Sequence, residues 1–205
     1  MLRRWISVWA FVILAIVFLV SPSHGDGHED GARKFIETMA EKVIDTLAVD
    51  DLSREERVQR FRTLLKTHFA VRTIGRWVLG RYWRKSTKKE RWEYLKLFED
   101  LIVVTYVDRF TKYSGETLSV ITTAPKGKND TIVFSHIVRP NGDPPLHVDW
   151  RVRTLKNGYR IIDVVIEGVS MGQTQRSEFA SVIRRNGGKI EGLLSELRIR
   201  AKHDV

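Results

Sequence analysis

Gly168-Val169-Ser170-Met171-Gly172 is a literal G-x-S-x-G, set between a strand-like run and a helix-like one. A serine hydrolase places its nucleophile on such a turn. The chemistry also needs a histidine to take the hydroxyl proton and an acid to orient it, in the order Ser, acid, His on a mostly parallel sheet. The only histidine after Ser170 is His203, third from the C-terminus, where chains fray. A tight turn leaving a strand is therefore preferred, and a hydrolase using Ser170 stands as the enzyme alternative.

Other site chemistries find less support. There is no cysteine, which excludes thiolate metal sites, iron–sulfur clusters and a cysteine nucleophile. His28, His68, His136, His147 and His203 include no pair at helical ligand spacing and no H-E-x-x-H. His147 and Asp149 share one face of a strand-like run, which is a two-ligand stub. Asn186-Gly187-Gly188 reads as a helix C-cap, not a phosphate loop. No catalytic residue, metal or cofactor is expected.

Charge is the stronger signal. Arg72 to Arg91 carries eight cations against Glu90 alone, a balance of +7, with Trp77, Tyr82, Trp83 and Trp92 interleaved. Inside a cell this suits nucleic acid; outside the cytoplasm it suits anionic headgroups or an acidic partner. The alternative is a solvated basic face whose aromatics belong to the core.

The N-terminus chooses the compartment. Arg3 and Arg4 precede an uncharged apolar run from Trp5 to Val20, and small residues at Ser23 and Gly25 stand before the charged run from Asp26. This is the layout of an export signal, residues 1–25. That sixteen-residue run, with Ser7 its one polar side chain, falls short of the roughly 20 apolar residues that span a bilayer. Removing Arg3 and Arg4 takes the net charge from +10 to +8 on residues 26–205. The expected location is a bacterial periplasm, because the chain is exported yet has no disulfide. Nucleic acid is then no partner; lipid surfaces, envelope proteins and small solutes are.

The elements follow from period and punctuation. Ala32–Leu47 has a helical apolar stripe. Ser53 with Glu56, and Thr87 with Glu90, stand in capping-box spacing and open two more helices, the second running to about Tyr113. Residues 70–86 fit a helical face weakened by Gly75 and Gly80. The period then becomes two over Thr117–Ala124, Thr131–Arg139, Leu146–Thr154 and Tyr159–Ile166, joined by turn-rich links. Thr174–Arg185 and Lys189–Arg200 are helical. The fold class is α+β: a four-stranded antiparallel meander covered on one face by helices. Periodicity alone implies an ordinary filled core.

Several stretches together resemble a known family. Val78-Leu79-Gly80-Arg81-Tyr82-Trp83 leads into the Thr87 helix. Pro140-Asn141-Gly142-Asp143-Pro144-Pro145 precedes a strand carrying Asp149-Trp150. Asp163-Val164-Val165-Ile166 runs into Glu167-Gly168-Val169-Ser170-Met171. In order and spacing these resemble the MlaC family, also called the toluene-tolerance or auxiliary ABC-transport family. The tail Val182–Leu197 is similar to its alphaproteobacterial branch and the related hopanoid-associated HpnM proteins. The resemblance implies an apolar cavity between sheet and helices, and a periplasmic phospholipid carrier without catalytic residues or cofactor. Such a carrier moves lipid between an outer-membrane lipoprotein–porin complex and an inner-membrane ABC transporter with an MCE-domain subunit, maintaining outer-membrane lipid asymmetry. A monomer making transient membrane-surface contact is expected.

Matched by position, the implied lining is Val78, Leu79 and Tyr82; Phe98, Ile102, Tyr106 and Phe110 from the long helix; and Val148, Trp150, Val152 and Val164 from the sheet. Arg81 and Arg84 are assigned to the headgroup or a partner. A hopanoid or other lipid as cargo, or an adaptor without cargo, are the alternatives.

Overall fold

The structure is a computed structural model that describes residues 26–49 and 51–203. The expected export signal lies outside the described residues, and no helix among them is long and apolar enough to cross a membrane.

Helix α1 spans Asp26–Leu47 and starts six residues before the expected Ala32. Gly27 and Gly31 hide that first turn from propensity, since glycine disfavours helix. Gly31 has a packing reason: a Cβ there would run into the Tyr159 hydroxyl. Helix α2 (Arg54–His68) carries the full Ser53/Glu56 capping box. The ambiguous stretch resolves into α3 (Val71–Leu79) and α4 (Arg81–Lys85), separated by Gly80 at φ +58°. Helix α5 (Lys88–Tyr106) opens on the Thr87/Glu90 capping box. It does not run as α-helix to Tyr113, because the backbone tightens into a 3-10 helix over Val107–Lys112. The preceding run Ile102-Val103-Val104-Thr105 is β-branched throughout, which weakens the α form at that end.

The sheet has five strands, not four: β1 (Thr117–Lys126), β2 (Asp130–Val138), β3 (Leu146–Leu155), β4 (Gly158–Ile166) and β5 (Val169–Ser170), in chain order and antiparallel throughout. The extra strand is too short to show a period. Glu167 (φ +48°) and Gly168 (φ +77°) are both left-handed, which makes a tight hairpin turn and folds Val169 back onto Ile166. Ser170 then caps α6 (Met171–Arg185), so that helix starts three residues before the expected Thr174. Asn186 ends it, Gly187 and Gly188 adopt positive φ, and α7 (Ile190–His203) follows.

Two apolar cores result. Helix α1 crosses β1, β2 and β3, seating Ala32, Ile36 and Met39 on Val133, Val152 and Ile161. The second core is wholly helical: Tyr94 and Phe98 of α5 meet Phe179 of α6, with Leu193, Leu194 and Leu197 of α7 beside them. Phe69, in the α2–α3 link, packs against both cores. Its backbone is fixed there by a bridge to Ile161, and the Ala70 N–H donates to the Ile161 carbonyl at 2.9 Å.

Candidate functional site

The G-x-S-x-G segment forms a strand–turn–helix corner. Ser170 Oγ donates to Asp163 Oδ2 at 2.7 Å and accepts the Gln173 N–H at 3.0 Å. Asp163 Oδ1 accepts the N–H groups of Val164 (2.9 Å) and Gly172 (3.1 Å). Both residues are thus spent on the N-terminus of α6. Gly172 supplies room: a Cβ there would stand 2.7 Å from the Trp77 ring.

The expected lining residues fall in two places. Val78, Leu79, Tyr82 and Phe98 are buried in the helical core, with Ile102 half-buried against it. Val152 is buried in the sheet core, where Trp150 and Val164, cross-strand neighbours, are half-buried. Val148 is also buried. The Trp150 indole N–H donates to Ser135 Oγ at 3.0 Å, and Ser135 donates to the Val148 carbonyl at 2.7 Å. Tyr106 and Phe110 are half-buried near the end of α5, Phe110 against Phe61 with ring centroids 5.8 Å apart. Between the two groups stands Phe69, which periodicity reads only as the last residue of the second helix's apolar stripe with Val58, Phe61 and Leu65. Phe69 is itself the C-cap of α2, and a stripe ending there carries no sign that its ring meets a second core.

Arg81 and Arg84 are exposed. The Arg81 guanidinium lies 5.0 Å over the Tyr82 ring and donates to its hydroxyl at 3.1 Å. Neither arginine lines the larger cleft, an open trough of about 1000 Å³ between α2, α3 and the first turns of α5. Phe69 and Val71 lie in that trough, with Trp83, Trp92 and Leu95 also lining it. At its far end Arg62 pairs with Glu99 (2.7 Å) and Asp100 (2.8 Å), and Lys66 with Glu99 (3.2 Å). At its near end Arg91 donates to the Trp83 carbonyl at 2.8 Å, with its guanidinium 5.3 Å over the Trp83 ring. Arg62 and Lys66 were missed because only tertiary packing brings α2 beside the basic stretch.

A smaller cleft of about 330 Å³ includes Phe134, His136, His147 and Asp149 in its lining. His136 and His147 are cross-strand partners with ring centroids 4.3 Å apart. Burial raises the Asp149 carboxyl pKa against the pull of the His147 and His136 imidazoles. No group of three or more metal-ligating side chains stands together among the described residues.

Comparison with known proteins places this geometry. The family model described as MlaC protein matches residues 37–199. The chain belongs to the MlaC family. The matched span runs from within α1 to within α7, so both clefts and every expected lining residue of this MlaC-family chain lie inside it. The Haemophilus influenzae intermembrane phospholipid transport system binding protein MlaC is 22% identical over 211 residues, spanning 100% of this chain and 96% of that protein. The phospholipid-binding protein from Ralstonia solanacearum, solved in complex with a phospholipid, aligns with a TM-score of 0.74 at 24% identity. That alignment covers 84% of this chain and 97% of the other, and at such identity it shows a shared fold alone.

Proposed function

We propose that this protein is a periplasmic phospholipid-binding carrier. Residues 1–25 are its export signal and 26–205 its single lipid-binding domain. It shuttles lipid between an outer-membrane lipoprotein–porin complex and an inner-membrane MCE-type ABC transporter, as a monomer, without cofactor or catalysis. The observation that carries this is the divided interior, whose two apolar cores have Phe69 as their shared side chain. A closed single core resists insertion at every contact. Two cores that share one apolar side chain can be parted more readily along the seam between them, and each Å² of apolar area then removed from water contributes about 25 cal/mol.

The cavity expected between sheet and helices opens along that seam. Val148, Trp150, Val152 and Val164 face it from the sheet. Val78, Leu79, Tyr82, Phe98, Ile102, Tyr106 and Phe110 face it from the helices. Arg81 and Arg84, exposed on α4, meet the headgroup or a partner complex. The tail motifs support the alphaproteobacterial branch near the HpnM proteins, which makes a hopanoid the alternative cargo. A cargo-free adaptor is the second reading, favoured by how fully both cores are filled.

Transfer of a fluorescent phospholipid from donor to acceptor vesicles tests the carrier. The protein should accelerate transfer, and Phe69→Asp, which puts a carboxylate in the seam, should abolish the acceleration. No acceleration by the unaltered protein would favour the adaptor.

A further inference from the structure

We propose that the open trough between α2, α3 and the first turns of α5 docks the protein on an anionic bilayer. Trp92 sits at the headgroup level, and Arg72, Lys88, Arg91 and Lys96 meet the phosphates. This does not depend on the interior holding lipid.

Unpaired charge is the first ground. None of the eight cations from Arg72 to Arg91 forms an ion pair among the described residues. Elsewhere Arg62, Arg151, Arg153, Arg198 and Arg200 are all paired. The acids that line the trough, Glu99 and Asp100, are occupied by Arg62 and Lys66 at its far end. The near end is therefore left electropositive.

Spacing is the second ground. Lys88, Trp92 and Lys96 are four residues apart on α5, share one helix face and all line the trough. Trp92 is 69% exposed, an unusual position for the side chain with the largest apolar area. An indole flanked by lysines suits a boundary that is apolar on one side and anionic on the other.

The dispersal of the cations separates a bilayer from an acidic protein. They stand on α3, α4 and α5, and Arg72, Arg84, Lys85, Lys88 and Lys89 make no side-chain hydrogen bond or ion pair among the described residues. Recognition of a particular carboxylate array would need preset forks. Mobile phosphates need only a local field, which falls off within a Debye length.

The test is flotation of the exported chain, recovered from a bacterial periplasm, with vesicles of pure phosphatidylcholine or with about a third phosphatidylglycerol. Binding should appear on the anionic vesicles alone and fall at high salt. Lys88→Glu with Lys89→Glu should reduce it at least about tenfold. These positions follow the Thr87 cap, where acids favour the helix, and an unchanged melting temperature of the variant would separate lost binding from lost folding. Trp92→Ala should reduce binding about fivefold or more, in line with loss of an interfacial anchor. Lys126→Glu with Lys128→Glu makes the same charge change on the exposed β1–β2 turn and should leave binding within about twofold, since that turn belongs to the sheet and contributes nothing to the trough lining. Equal loss in the two double variants would reduce the effect to net charge and overturn the proposal. So would binding to pure phosphatidylcholine that the Lys88/Lys89 reversal does not change. Retention on immobilised polyglutamate without vesicle binding would overturn it in favour of an acidic protein partner. Native mass spectra of the variants would show separately whether lipid loading is altered.

Discussion

The Tyr94 hydroxyl donates to the Gly75 carbonyl at 3.0 Å and pins α5 to α3 in the middle of the helical core. The approach is close enough that a Cβ at residue 75 would lie 3.0 Å from Leu95 and from Phe98. Burial raises the phenol pKa well above the ordinary tyrosine range, so the neutral donor is the native form. A raised folded-state pKa gives stability that is complete below the ordinary tyrosine pKa and lost as pH climbs beyond it. Tyr94→Phe should cost about 1 kcal/mol at neutral pH. It should also flatten the alkaline fall in stability, measured by urea unfolding across pH.

Ser170 and Asp163 hold the start of α6, and their variants should register as stability. Ser170→Ala should cost about 1 kcal/mol in chemical denaturation. Asp163→Ala should cost more, because it removes the acceptor for three groups. Ester hydrolysis by a Ser170→Ala preparation should equal that of the unaltered protein. A drop would revive the nucleophile.

His68 gives an acid-side prediction. Its ring is buried 5.7 Å from Phe35 of α1, and Nδ1 lies 2.9 Å from the Leu64 carbonyl, so Nδ1 carries the proton. Burial lowers its pKa against the pull of that hydrogen bond, with Lys42 and Arg160 acting in the same direction as burial. A depressed folded-state pKa means stability that is full above the ordinary histidine pKa and lost as pH falls through the lower value. Melting temperatures should therefore fall as the pH drops below the ordinary histidine value of about 6.5. The slope should be shallower in His68→Gln.

Asp130 ties the β1–β2 turn to β3. Arg151 Nη2 donates to its carboxylate at 2.6 Å and Arg153 Nε at 2.7 Å. Burial alone would raise its pKa, but the bonds from Arg153 and Arg151 outweigh it and hold the carboxyl below the usual aspartate value. Its stabilisation is thus present above that usual value and lost as pH falls through the depressed one. Both arginine side chains are more than a third exposed, so Asp130→Asn should cost only about 1 kcal/mol at neutral pH, converging with the parent in acid.

Local chemistry was legible and tertiary placement was not. Both capping boxes and the four longer strands lie close to where spacing puts them, because a Ser or Thr three residues before a Glu acts within one turn. Strand β5 was not legible: two residues carry no period, and only pairing with Ile166 and Val165 defines them. Phe98 and Val152 read alike as apolar stripe residues, yet one lies in each core. Arg84 and Arg91 belong to the same basic run, but only Arg91 lines the trough, because the α4–α5 corner redirects the chain between them.

Native mass spectrometry of the chain recovered from a bacterial periplasm, followed by organic extraction, tests the central claim most directly. A phospholipid mass that is bound in the native spectrum and released on denaturation is the predicted result. Protein that stays at its bare polypeptide mass, even after incubation with phospholipid vesicles, would contradict the carrier reading.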